Sequence, residues 1–183
     1  NCKLYVLNKY FKKTYDTICR EFINIFPFVN NLELKNAEDF GFNHPGIVPV
    51  LAMKEKKINK WIPLNNFSSG MKKVLLIITD IFTMPKDGAI YLIDEYENSL
   101  GKNAINFFPD ILLEANPNNQ FIITSHHPYI IGNVKVTDWI IMHRTGNSIK
   151  VKQGQELEEK YGKSKQQAFI QLINDPFFTE GIE

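Results

Sequence analysis

The sequence predicts an α/β fold, a parallel sheet core flanked by helices with a peripheral β-hairpin. Three observations predict it. Residues 89–93, Ala-Ile-Tyr-Leu-Ile, and 120–124, Gln-Phe-Ile-Ile-Thr, are short apolar runs of the kind buried in parallel sheets. A helical segment at about 102–115 separates them, which makes a βαβ crossover with neighbouring, parallel strands. Ahead of them, Met71, Val74, Leu75, Ile78 and Phe82 form one helical stripe, and Leu76, Ile77 and Ile81 fill much of the remaining circumference. That helix, 69–82, is therefore expected to be mostly buried.

The other elements follow in chain order. Over 3–26, apolar residues at Leu4, Leu7, Phe11, Ile18, Phe22 and Ile25, with Tyr15 near the missing step, recur at helical spacing. Lys9, Lys12, Lys13, Asp16, Arg20 and Glu21 occupy the other face, and Pro27 ends the helix. It reads as a helix lying on a core, with docking of a coiled-coil arm as the alternative. From Asn31 to Phe67 the pattern alternates. Val48–Met53 and Lys60–Leu64 flank the polar segment Lys54–Asn59 as a β-hairpin, and its prolines place it at an edge. Met84–Gly88 is a turn, and Asn116–Asn119 is a loop. Short strands at about 138–143 and 148–152 surround the turn Thr145-Gly-Asn147. A polar stretch and a last helix at about 164–174 finish the chain, with Ala168, Phe169, Leu172 and Ile173 as its apolar stripe. Neither repeats nor a domain boundary interrupt the pattern, so residues 1–183 read as a single domain.

Composition narrows the class. With 183 residues, 44% of them hydrophobic, the chain supports one sizeable core. A formal charge of +1 neither supports nor excludes nucleic-acid binding, so a DNA or effector partner is not derivable from charge. Cys2 and Cys19 read as reduced thiols of a cytoplasmic protein. No apolar run approaches the ~20 residues that span a bilayer, so no membrane partner is expected. The chain opens without an initiator Met on a helical pattern already under way, which suggests a piece of a longer protein.

Three polar clusters stand at the ends of apolar elements. In Asn66–Lys73, Ser68 or Ser69 caps the buried helix and Gly70 leaves the backbone open. This is an ordinary helix cap or an anion site. Asp94 and Glu95 stand just past a strand, where ligands of α/β sheets bind. They are two solvated acids, or one meets a divalent cation while the other acts as a general base. Thr124-Ser-His-His-Pro128 follows the other strand, and a His there is structural or bonds an anion or a water. The conjunction, in that order, is a nucleotide-hydrolysis layout.

From Asn66 to Pro128 the chain resembles the C-terminal half of an ABC-type ATPase, and more narrowly the SMC/RecF/OLD-like branch of bacterial AAA-labelled ATPases. The resemblance implies the C-terminal lobe of a P-loop NTPase head. It makes 89–95 the Walker B motif, with Asp94 holding Mg²⁺ and Glu95 deprotonating the attacking water. Asn98-Ser-Leu-Gly101 matches the D-loop, and Ser68-Ser-Gly70 matches the signature motif. His126 matches the switch histidine, with His127 beside it as the alternative. Met71 and Lys72 depart from a transporter signature, and Tyr96 stands where transporters tend to place Pro. No G-x-x-x-x-G-K-[ST] loop is present among the ten glycines, so the Walker A loop is expected outside these residues. The implied whole is an ATP- and Mg²⁺-dependent hydrolase. Two copies would sandwich ATP head to tail, with Ser68, Ser69, Gly70, Asn98 and Ser99 at the nucleotide, in DNA repair or phage defence. A fragment of it would bind ATP weakly. A non-catalytic scaffold and a metal-dependent nuclease, the latter using Asp94, Glu95, His126 and His127, are the alternatives.

Overall fold

The structure, a computed structural model, describes residues 2–42, 48–101, 104–105, 117–162 and 164–180. Its contacts fall into two compact units, Asn1–Thr124 and Ser125–Glu183.

In the first unit, α1 (Cys2–Tyr10) and α2 (Lys12–Ile25) replace the single helix expected over 3–26. The break falls at Phe11, whose φ of −134° and ψ of 54° are not helical. Neither Pro nor Gly stands there. The break re-phases the apolar seam: Leu4, Leu7, Tyr15, Ile18, Phe22 and Ile25 are buried, whereas Phe11 turns out to solvent. Burial pushes the Tyr15 hydroxyl above its usual range and raises the Cys19 thiol to about 11.

A three-stranded antiparallel sheet follows, in the order β1 (Val29–Asn36), β2 (Pro49–Glu55), β3 (Trp61–Pro63). The expected hairpin is β2–β3, with Lys54 opposite Trp61 and Ala52 opposite Pro63. Then comes α3 (Ser69–Ile81). Its Val74, Ile77, Ile78 and Ile81 are buried, and Leu76, expected to be covered, is 60% exposed. Phe67, just ahead of α3, stacks on Phe22 of α2 at 6.0 Å between ring centroids. That contact joins the two helices across the core.

After α3, Gly88 (φ 99°) turns the chain against Asn118 into β4 (Ile90–Ile93). It pairs in parallel with β5 (Gln120–Ile123), Ile93 opposite Ile123, as the βαβ reading requires. Of the crossover helix expected at 102–115, residues 104–105 are helical and buried, and the rest lies outside the described residues. The strands depart from expectation in one respect. Ile93 is buried, but Ile90 is 66% exposed, Leu92 72% and Ile122 48%. Side chains alternate across a strand, so only one face of this two-stranded sheet is packed. Tyr91 lies on the packed face. Its hydroxyl donates to Asp80 Oδ2 of α3 (3.0 Å), and burial, then this bond and the Asp80 charge, raise it to about 12. Lys3 of α1 pairs with the other Asp80 oxygen at 2.7 Å.

In the second unit, α4 (Pro128–Asn133) precedes a hairpin of β6 (Ile140–Thr145) and β7 (Ser148–Gln153). The polar stretch that follows is a helix, α5 (Gly154–Tyr161), succeeded by α6 (Lys165–Ile173) and α7 (Pro176–Thr179). Val136, Trp139, Ile141, Leu157, Tyr161, Ala168 and Leu172 form its core. Buried Asp175 closes it: Tyr161 donates its hydroxyl, Lys160 pairs at 2.5 Å, and Phe177 N–H donates to Oδ1 at 2.8 Å. The Lys160 and Tyr161 hydrogen bonds hold the Asp175 carboxyl well below the usual range despite burial. Among the described residues, no helix is long and apolar enough to cross a membrane.

Candidate functional site

The carboxyl ends of β4 and β5 hold the first group of candidate residues. The ladder runs past the strands, since Thr124 N–H donates to Ile93 O at 2.9 Å and Tyr96 N–H to Thr124 O at 3.0 Å. This pairing fixes Thr124 between the two acids. Its hydroxyl donates to Asp94 Oδ1 at 2.6 Å and accepts the Glu95 N–H at 2.8 Å. Glu95 turns into the left-handed region (φ 43°), and its Oε2 accepts from Asn98 Nδ2 at 3.0 Å. The adjacent acids thus have separate partners, a hydroxyl for one and an amide for the other. Buried Tyr96 anchors the loop directly behind them.

The start of α3 supplies the second group. Ser68 is the N-cap, its Oγ accepting from Met71 N–H at 3.2 Å, and Ser69 is exposed on the first turn. Gly70 is buried against the 95–99 loop, where a Cβ would collide with the Ser99 carbonyl. Ser99 itself has φ 65°, and its hydroxyl donates to Asn98 Oδ1 at 3.3 Å. One turn along, Lys73 Nζ donates to Glu95 O at 2.9 Å and to Asn98 O at 3.1 Å. The structure therefore brings Ser68, Ser69 and Gly70 beside Asp94, Glu95, Asn98 and Ser99 within the first unit.

His126 belongs to the second unit, two residues beyond Thr124, and is exposed. His127 is committed to local structure. Its N–H donates to Ser125 Oγ at 3.1 Å, and its Nδ1 accepts from Tyr129 N–H at 3.2 Å as the N-cap of α4. His143 of β6 bonds Phe177 O at 2.8 Å and Thr145 Oγ1 at 2.9 Å.

Chemically, the first-unit cluster suits a hydrated Mg²⁺. Such ions are held by one or two carboxylates plus substrate phosphates. Asp94 is exposed, and Thr124 is its hydrogen-bond partner among the described residues. Among those residues no three His, Cys, Asp or Glu side chains converge as metal ligands. Two residues of this cluster lie within the polar clusters of the sequence but are given no role there, Thr124 and Lys73. Thr124 was visible as the polar end of an apolar strand. Lys73 looks like any exposed helical lysine until the loop folds against it.

The model of the family described as "AAA domain, putative AbiEii toxin, Type IV TA system" matches residues 21–132. No curated protein matches the chain. Among solved structures it is similar to an SMC ATPase chain studied for ATP-driven dimerization and DNA-stimulated activation, at 17% identity and TM-score 0.53, over 83% of this chain and 95% of that one. It is similar to an Smc head domain with coiled coil and joint from Pyrococcus yayanosii, at 17% identity and TM-score 0.58, over 87% of this chain and 31% of that one. A third similarity is to an SMC head bound to the C-winged helix domain of ScpA, at 21% identity and TM-score 0.51, over 81% and 45% of the two chains. At these identities the likeness is one of fold, that of a P-loop NTPase head.

Proposed function

This chain belongs to the AAA-domain family whose model covers residues 21–132, and from that premise we propose that it is the ATP-hydrolysing, C-terminal part of a head that dimerises around ATP. The observation that carries the reading is the Thr124 bridge. One hydroxyl, 2.6 Å from Asp94 Oδ1 and 2.8 Å from Glu95 N, ties the Asp94 carboxylate and the Glu95 backbone together at the open end of a parallel sheet. Asp94 would hold Mg²⁺, and the ion would supply charge neutralisation for the phosphates. Glu95 accepts the proton of the attacking water, with its carboxylate oriented by Asn98. His126 is the phosphate-sensing group of this reading. That choice is supported by His127, whose Nδ1 already caps α4.

Ser68, Ser69 and Gly70, at the N-terminal end of α3, face the nucleotide held by a second copy, where the helix dipole favours negative charge. Asn98 and Ser99 complete that contact. Residues 1–183 contain no Walker A loop, so in this reading ATP binding would need such a loop supplied from outside them. The finer role proposed is DNA repair or phage defence. It is supported by the type IV toxin–antitoxin wording of the family and by the DNA-stimulated SMC ATPase among the similar folds.

The test is Glu95→Gln in the full-length protein. ATP turnover is expected to fall about 100-fold or more, the scale of a lost general base. An ATP-dependent dimer should accumulate in size-exclusion chromatography with light scattering. Unchanged turnover removes Glu95 from the base role.

A further inference from the structure

We propose that Lys73 is a positioning residue that locks the loop carrying Glu95 and Asn98 to α3, so that the two nucleotide-facing segments of one protomer move together. The inference rests on the ATPase reading above and adds a residue that none of its motifs contains. Three observations carry it.

The first is strain. Glu95 and Ser99 both sit at positive φ, 43° and 65°, without being glycine. A non-glycine residue in this region is strained and persists only where its surroundings over-determine it. The second is the clamp. The Lys73 ammonium spans the loop, donating to Glu95 O at 2.9 Å and to Asn98 O at 3.1 Å. Those two carbonyls belong to the residues whose side chains pair through Asn98 Nδ2 and Glu95 Oε2 at 3.0 Å. Lys73 therefore fixes the backbone beneath both the proposed base and the amide that orients it. The third is contact without slack. One turn back on the same helix, Gly70 seats the Ser99 carbonyl so closely that a methyl group has no room. Gly70 and Lys73 thus hold two points of one loop from one helix face, as residues three apart on a helix do.

The consequence follows from which nucleotide each segment serves. The start of α3 meets the nucleotide of the partner copy, and Glu95 acts on the protomer's own. A displacement of α3 on dimer formation is handed to Glu95 through Lys73. Lys73 acts through these carbonyls and touches no reacting atom.

The experiment compares Lys73→Met and Lys73→Arg with wild type in the full-length protein. Lys73→Met keeps the length and apolar stem and removes the donors. It is expected to lower kcat about tenfold, the scale of a lost charge-assisted hydrogen bond, with KM for ATP within about twofold. Amide hydrogen exchange over residues 96–100 should accelerate by a similar factor, while buried amides of α3 and β4 keep their protection. Lys73→Arg, which retains a donor fork, should recover most of both effects. Loop exchange and kcat both unchanged in Lys73→Met overturn the proposal. Faster exchange with unchanged kcat, or a change confined to KM, also overturns it. Loss of protection throughout α3 would mark global unfolding and overturn it, unless Lys73→Gln, whose shorter side chain cannot reach both carbonyls, folds and shows lowered kcat together with faster exchange over residues 96–100. If wild type shows no turnover and Glu95→Gln traps no dimer, the ATPase reading fails, and the exchange comparison still decides whether Lys73 clamps the loop.

Discussion

At the scale of single residues, the site rests on close approaches that leave little trace in the sequence. Asp94 and Glu95 were legible, because two acids at the end of an apolar run require an explanation. Thr124 was legible only as part of a motif, since its bridge depends on β5 lying parallel to β4. Gly70 was legible as a glycine but for a different contact. The sequence reading placed it at a phosphate, and the structure also seats it against the Ser99 carbonyl of the same chain. This contact gives a prediction with a sign. Gly→Ala in an open helical position gains up to about 1 kcal/mol from propensity. At Gly70 the added methyl meets backbone, which cannot rotate away, so Gly70→Ala should cost about 1–3 kcal/mol net. Gly132 in α4 has nothing within 4 Å of its would-be Cβ and serves as the control. Gly132→Ala should be neutral or stabilising. Urea midpoints of the two variants check this, and midpoints shifting in the same direction would contradict it.

At the scale of elements, periodicity found most helices and strands because their apolar faces are packed. Elements held by other forces were missed. The stretch 154–161 reads as polar, yet it is α5, held by Leu157 and Tyr161 and by the close seat of Gly154 on the chain at Val136 and Thr137. Two apolar residues cannot announce a helix, though they suffice to anchor one. The break at Phe11 was hidden for the converse reason. Phe11 fits the apolar spacing, and only tertiary packing reveals that it lies outside the seam. Helix α3 shows both sides of this limit. Ile78 has no exposure and Leu76 has 60%, although both are apolar and two residues apart. Ile78→Ala should cost about 2–5 kcal/mol through lost burial and the cavity it leaves. Leu76→Ala should change stability by no more than about 0.5 kcal/mol. Chemical denaturation of both variants tests the assignment of faces, and equal losses would show that α3 is covered all round.

At the scale of the molecule, each unit carries a sheet with an apolar face in solvent. In the first unit the face is Ile90, Leu92 and Ile122; in the second it is Ile140, Met142, Ile149 and Val151. The register sets Leu92 opposite Ile122 and Met142 opposite Val151, so each face is a contiguous patch and not a scatter of single residues. Sequence could not distinguish this from burial on both sides. A continuous apolar run reports that both faces of a strand prefer to leave water, and is silent on whether the described chain covers both. Contiguous exposed apolar surface promotes association. The 183-residue chain is therefore expected to bind a hydrophobic dye and to self-associate as its concentration rises. Leu92→Lys together with Ile122→Lys should reduce both, because the lysines place charge on the patch without opening a cavity. Each substitution should leave the unfolding free energy within about 0.5 kcal/mol of wild type, as befits exposed sites. A loss of several kcal/mol would mean that this face of β4 and β5 is packed in solution, and would return the sheet to the two-sided burial that its sequence predicts.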